Sequence, residues 1–99
     1  MEVIISKENK VDVVKIIGRL DTTTATLLEK EVAPLFVPNA EVVFDCAELD
    51  YISSSGLRII LMAHKKLTSI SGTLTMKNIA PNIKTIFDMT GFSNILRFA

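Results

Sequence analysis

The chain has 99 residues, 48% of them apolar and 22% charged, which is the size and make-up of one ordered globular domain, residues 1–99. Eleven Lys and Arg balance eleven Asp and Glu, so no broad basic footprint exists for nucleic acid or an anionic membrane surface. The longest clean apolar run, Ile59 to Ala63, falls far short of the about 20 residues that a membrane-spanning helix needs.

Val3 to Ser6 reads as a first strand, and Lys7-Glu8-Asn9-Lys10 as a polar turn. Val11 to Leu20, rich in Val and Ile, reads as a second strand, with Gly18 breaking it near its end. Asp21-Thr22-Thr23-Thr24 offers short oxygen-bearing side chains to the orphan N–H groups of a helix start. Ala25, Leu28, Val32 and Leu35 then recur at helical spacing, but Pro34 sits inside that pattern and must kink the helix or end it early. Pro38-Asn39 marks a loop. Val42-Val43-Phe44 is a continuous apolar run of the kind buried on both faces of a parallel sheet.

After Asp45 to Asp50 comes Tyr51-Ile52-Ser53-Ser54-Ser55-Gly56-Leu57, and a helix follows to about Ile70. Gly72 ends it before a short strand, Thr73 to Met76. Pro81 suits the first position of another helix, whose Ile83, Ile86, Phe87 and Thr90 share a face and which Gly91 closes. Ile95 to Phe98 reads as a final edge strand. The predicted order is β-β-α-β-α-β-α-β, an α/β domain with a mixed, largely parallel sheet and helices packed against it.

Three consecutive serines raise the question of nucleophilic catalysis. A serine nucleophile needs a base within roughly 2.6–3.2 Å. The one histidine, His64, lies ten residues beyond Ser54 on the same predicted helix, about 15 Å away along its axis. No Gly-x-Ser-x-Gly elbow is present. Cys46 and His64 make no metal-ligand set, and no phosphate-loop or dinucleotide glycine pattern occurs, so neither metal nor cofactor is expected. Cys46 reads as a small buried apolar residue, and His64 as a packed or half-exposed structural side chain. A lone cysteine and no export signal at the N-terminus fit a reducing cytosol.

The serine cluster itself remains. In the plain reading one serine caps the helix and the others face solvent. In the sharper reading the same geometry suits phosphorylation, because a helix N-terminus presents free N–H donors and the positive end of the dipole. A phosphate there would add about 1.5–2 negative charges without unfolding its own domain. The helix that follows carries two apolar stripes, Leu57, Ile60, Leu61 and Leu67, and Ile59, Met62, Ala63 and Ile70. Apolar residues on two faces mean deep burial or a face kept for a partner.

Three segments together resemble the STAS domain family, and within it the bacterial anti-sigma factor antagonists. Ile17-Gly18-Arg19-Leu20-Asp21 is similar to the family's entry into its first helix. Leu49-Asp50-Tyr51-Ile52-Ser53-Ser54-Ser55-Gly56-Leu57 is similar to its phosphorylation loop. Ala80 to Gly91 is similar to its third helix, with Pro81, Ile83, Ile86, Phe87, Thr90 and Gly91 at the motif positions. The resemblance spans nearly the whole chain.

The resemblance implies a protein that is not itself an enzyme. Its unphosphorylated form binds an anti-sigma factor that is also a serine kinase with a histidine-kinase-like ATPase fold, and so frees a sigma factor. Phosphorylation dissociates the pair, and a PP2C-type phosphatase resets it. Counting back from Gly56, the acceptor falls on Ser54, with Asp21, Thr22, Ser53, Ser55, Gly56 and Arg58 as the surrounding recognition surface. The family usually has Asp just before the acceptor. Here that residue is Ser53, which makes Ser53 a rival acceptor. The alternative that the resemblance implies is a non-phosphorylated accessory subunit, for example of a lipid-transport ATPase complex, in which the same helix simply docks.

Overall fold

The β-branched N-terminal residues form a hairpin in the computed structural model, which describes residues 1–99. Strand β1 (Glu2–Glu8) pairs antiparallel with β2 (Val11–Leu20). Only Asn9 and Lys10 connect them, both at positive φ, as a two-residue hairpin that follows the strand twist requires. The first strand is therefore longer, and its turn tighter, than Val3–Ser6 and a four-residue turn. From there every pairing is parallel. β2 pairs with β3 (Glu41–Asp45), β3 with β5 (Thr73–Lys77), and β5 with β6 (Arg97–Phe98).

One strand was not expected. β4 (Leu49–Ile52) pairs with the far end of β2 beyond an irregularity at Gly18 and Arg19, where Gly18 takes a φ of 97°. The sheet thus has six strands in the order β1-β2-β3-β5-β6, with β4 beside β2. The element order is corrected to β-β-α-β-β-α-β-α-β. The four residues of β4 hold one charged side chain and are buried only at their two ends, too short a pattern for period-two alternation to stand out. The last strand is likewise shorter than predicted. It starts at Arg97, because Ile95 closes a short 3-10 turn (Phe92–Asn94).

Helix α1 (Thr22–Val32) stops where Pro34 forces it to, and Ala33–Leu35 continue as a 3-10 turn. Leu35, expected on the core stripe, is only half-buried. Helix α2 (Ser54–Ser69) and helix α3 (Pro81–Thr90) keep their predicted extents closely. Along β2, β3 and β5, Val14, Ile16, Val42, Phe44, Leu74 and Met76 are buried together with Leu28 of α1, Ile60 and Leu67 of α2 and Phe87 of α3. The alternate residues Val13, Val43 and Thr75 are half-buried. The sheet therefore has one covered face and one more open face, and α1 and α2 lie on the covered one.

Candidate functional site

The site arises where β2 and β4 hand over to α1 and α2. The backbone N–H of Ser53 donates to the carbonyl of Leu20 at 2.9 Å. That bond ties the end of β4 to the end of β2, so both helices start at the same corner. Thr22 Oγ1 and Ser55 Oγ lie 3.2 Å apart across the two first turns.

Asp21 caps α1. Its Oδ1 accepts from the backbone N–H groups of Thr23 and Thr24, each at 3.1 Å, and Thr24 Oγ1 accepts from the Asp21 N–H at 2.9 Å. The bond from the Thr24 N–H holds the Asp21 carboxyl below its ordinary value, with further bonds from the Thr24 hydroxyl and Thr23 acting the same way. Arg19 Nε lies 3.9 Å from Asp21 Oδ2 and the guanidinium sits 4.1 Å from the centroid of the Tyr51 ring. Both are exposed, so they order the surface more than they stabilise it.

Ser53 caps α2, its Oγ accepting from the Gly56 N–H at 3.2 Å. Ser54 is the first helical residue and is exposed. Its hydroxyl makes no hydrogen bond within the protein, the backbone N–H groups of Ser54 and Ser55 find no acceptor there, and the first turn holds no acidic residue. An added anion at Ser54 Oγ would meet donors and a favourable dipole. The hydroxyl of Ser53, by contrast, is already engaged with the helix.

Asp21, Thr22, Ser53, Ser55 and Arg58 lie on or near this surface, half-buried or exposed. Gly56 does not. It is buried, and a Cβ there would stand 2.8 Å from both Leu20 Cγ and the Leu20 carbonyl oxygen, and 2.9 Å from Ile52 Cγ1. Its place in the recognition surface is corrected: it shapes the corner from below by letting α2 touch the sheet. Leu57 is core. The sequence reading missed Arg19 and Tyr51 as one surface feature. The signal that could have found them is the parallel register that pairs Arg19 with Tyr51, which becomes visible only once β4 is recognised as a strand.

The double stripe on α2 now has its explanation. Leu57, Ile60, Ala63 and Leu67 are buried. Ile59 and Met62 instead face Val32 of α1, with Ala33 and Phe36 beyond it, across a groove of about 230 Å³ that Ala63 also lines. Met62 stays 47% exposed beside this groove, which Glu29 and Lys66 also line. Cys46 is buried, and burial pushes its thiol up to about 12, which leaves it unreactive at neutral pH. No group of three or more His, Cys, Asp or Glu side chains could hold a metal ion. No helix is long and apolar enough to cross a membrane.

A family model described as the STAS domain matches residues 3–99. BtrV of Bordetella bronchiseptica, named as an anti-sigma factor antagonist, is 37% identical over 84 residues, 83% of this chain and 72% of that protein. A solved Thermotoga maritima protein, assigned as an anti-sigma factor antagonist, superposes with a TM-score of 0.90 at 16% identity, covering 97% of this chain and 84% of its own. The Bacillus cell-fate determinant SpoIIAA in its phosphorylated form superposes with a TM-score of 0.75, also at 16% identity, covering 99% and 91%. At those identities the two solved structures show a shared fold.

Proposed function

The chain belongs to the STAS domain family, and from that premise we propose that it is an anti-sigma factor antagonist switched off by phosphate on Ser54. One observation carries this reading: Ser54 alone of the three serines combines an exposed hydroxyl free of intramolecular bonds with the first position of α2. The relative of 37% identity, named for the same role, supports it.

The partner is an anti-sigma factor that is also a serine kinase with a histidine-kinase-like ATPase fold, and a PP2C-type phosphatase reverses its mark. The chain itself is the substrate of that kinase and performs no catalysis. Docking over Ser54 must desolvate whatever stands there. A hydrogen-bonded hydroxyl is cheap to bury, whereas a phosphate whose charge the docking partner leaves unpaired costs several kcal/mol. A loss of about 3–4 kcal/mol weakens binding several hundred-fold. The bound phosphate remains compatible with the fold of its own domain, because the α2 start offers it donors. Switching therefore needs no large rearrangement.

Incubation with the cognate kinase and ATP, followed by mass spectrometry, tests the assignment. Phosphate on Ser54, absent in Ser54→Ala and present in Ser53→Ala, is the expected result. Phosphate on Ser53 would move the switch by one residue. No incorporation with a kinase that binds the chain would instead favour a docking subunit of an ATPase complex.

A further inference from the structure

A second cleft lies near the opposite end of α2 from Ser54, bounded by α2, the start of β5 and the start of β6, with a volume of about 530 Å³. That is within the roughly 300–1,000 Å³ typical of small-ligand sites. Its lining includes four side chains that can donate hydrogen bonds: His64 and Thr68 from α2, Thr73 from β5 and Arg97 from β6. His64 and Thr68, four residues apart, share one helix face. No carboxylate lines the cleft. Glu41, the neighbour of Thr73 in the sheet, is not part of the lining.

None of the four side chains has a partner within the protein. Arg97 enters none of the salt bridges. The hydroxyls of Thr68 and Thr73 and both ring nitrogens of His64 are absent from the hydrogen bonds, and His64 Nδ1 is buried without a partner. An imidazole can donate from a ring nitrogen, so His64 adds a polar group that no part of the protein engages. Leu74 and Ile95 add apolar wall, and Ile95 is 49% exposed.

We propose that this cleft binds a small organic anion, an oxyanion head on an apolar body. A guanidinium, an imidazole N–H and two hydroxyls without a competing carboxylate suit a phosphate or carboxylate head. The exposed Ile95 and the Leu74 wall suit the body. The site lies roughly 15 Å along α2 from Ser54, so it stands or falls independently of phosphorylation.

The test is a titration of isotope-labelled protein, followed by NMR, with three probes: hexyl phosphate, hexanoate and inorganic phosphate. Saturable shifts at Thr68, Thr73 and Arg97 with either hexyl probe are expected, and whichever head binds more tightly identifies the chemistry. Arg97→Gln should weaken binding about 10- to 100-fold with an unchanged melting temperature. His64→Gln, which keeps a donor, should bind better than His64→Leu. The proposal is overturned by an absence of saturable shifts up to about 10 mM, by shifts that Arg97→Gln leaves intact, or by inorganic phosphate binding as tightly as its hexyl ester.

Discussion

The two long helices start side by side, yet their first turns are closed by different chemistry. At α1 a carboxylate accepts two backbone N–H groups, and the Thr24 hydroxyl oxygen in turn accepts from the Asp21 N–H. At α2 a single neutral hydroxyl, that of Ser53, reaches one N–H at 3.2 Å. The α1 start therefore already carries an anion at the positive end of its dipole, and the α2 start carries none. The same corner thus holds one finished cap and one that can take a negative charge. That asymmetry explains how a modification can change the surface of this domain while its fold is kept.

The largest effect should come from putting a charge at the second start. Ser54→Asp is expected to weaken binding to the anti-sigma partner by about a hundredfold, while Ser54→Ala leaves it intact. Calorimetric titration reads both, and equal affinities would remove the electrostatic basis of the switch. Next is the glycine beneath that start. Gly56→Ala brings a methyl within 2.8 Å of Leu20. Overpacking of about 1–3 kcal/mol outweighs the helix propensity gained. Thermal unfolding should shift down by roughly 5–10 °C. A variant as stable as wild type would mean that α2 can lift off the sheet without cost.

The asymmetry was partly legible in the sequence. Asp21 and the serines announce two helix starts by residue type alone, because capping is a local matter of short oxygen-bearing side chains. Pro34 announces the end of α1 for an equally local reason. That the two starts are neighbours was not legible. It depends on β4, whose Leu49–Ile52 segment becomes a strand only by pairing with Gly18–Leu20 of β2, far earlier in the chain. Gly56 misled for a related reason. The resemblance placed it in the recognition surface, but here it marks a close approach of helix to sheet, a contact that no single segment contains.

A smaller effect is expected at the cap of α2. Ser53→Ala removes one hydrogen bond from the helix start and should cost about 1 kcal/mol, read as a lowered midpoint in urea unfolding. Phosphate incorporation at Ser54 should persist in that variant. Loss of both together would make Ser53 part of the acceptor machinery and would erase the division of labour between cap and acceptor.

The smallest effect separates the two caps by pH. Asp21 holds its carboxyl below the ordinary range because Thr24 and Thr23 donate to it. The folded chain therefore binds that proton less readily than the unfolded chain does. Its contribution to stability is fully present above the ordinary carboxylate value, near about 4, and is lost as pH falls through the folded-state value. Asp21→Asn keeps a capping oxygen but does not titrate. Its melting temperature should lie below wild type at neutral pH, and the gap should close in acid. Asp45 and Asp88 are also held low, by Asn78 and by Lys84 respectively. They act in both proteins and cancel in the difference. The corresponding gap for Ser53→Ala should stay flat over the same range, since a hydroxyl cap carries no proton to exchange. A gap for Asp21→Asn that is equally flat would show that the two starts differ in geometry alone and not in charge.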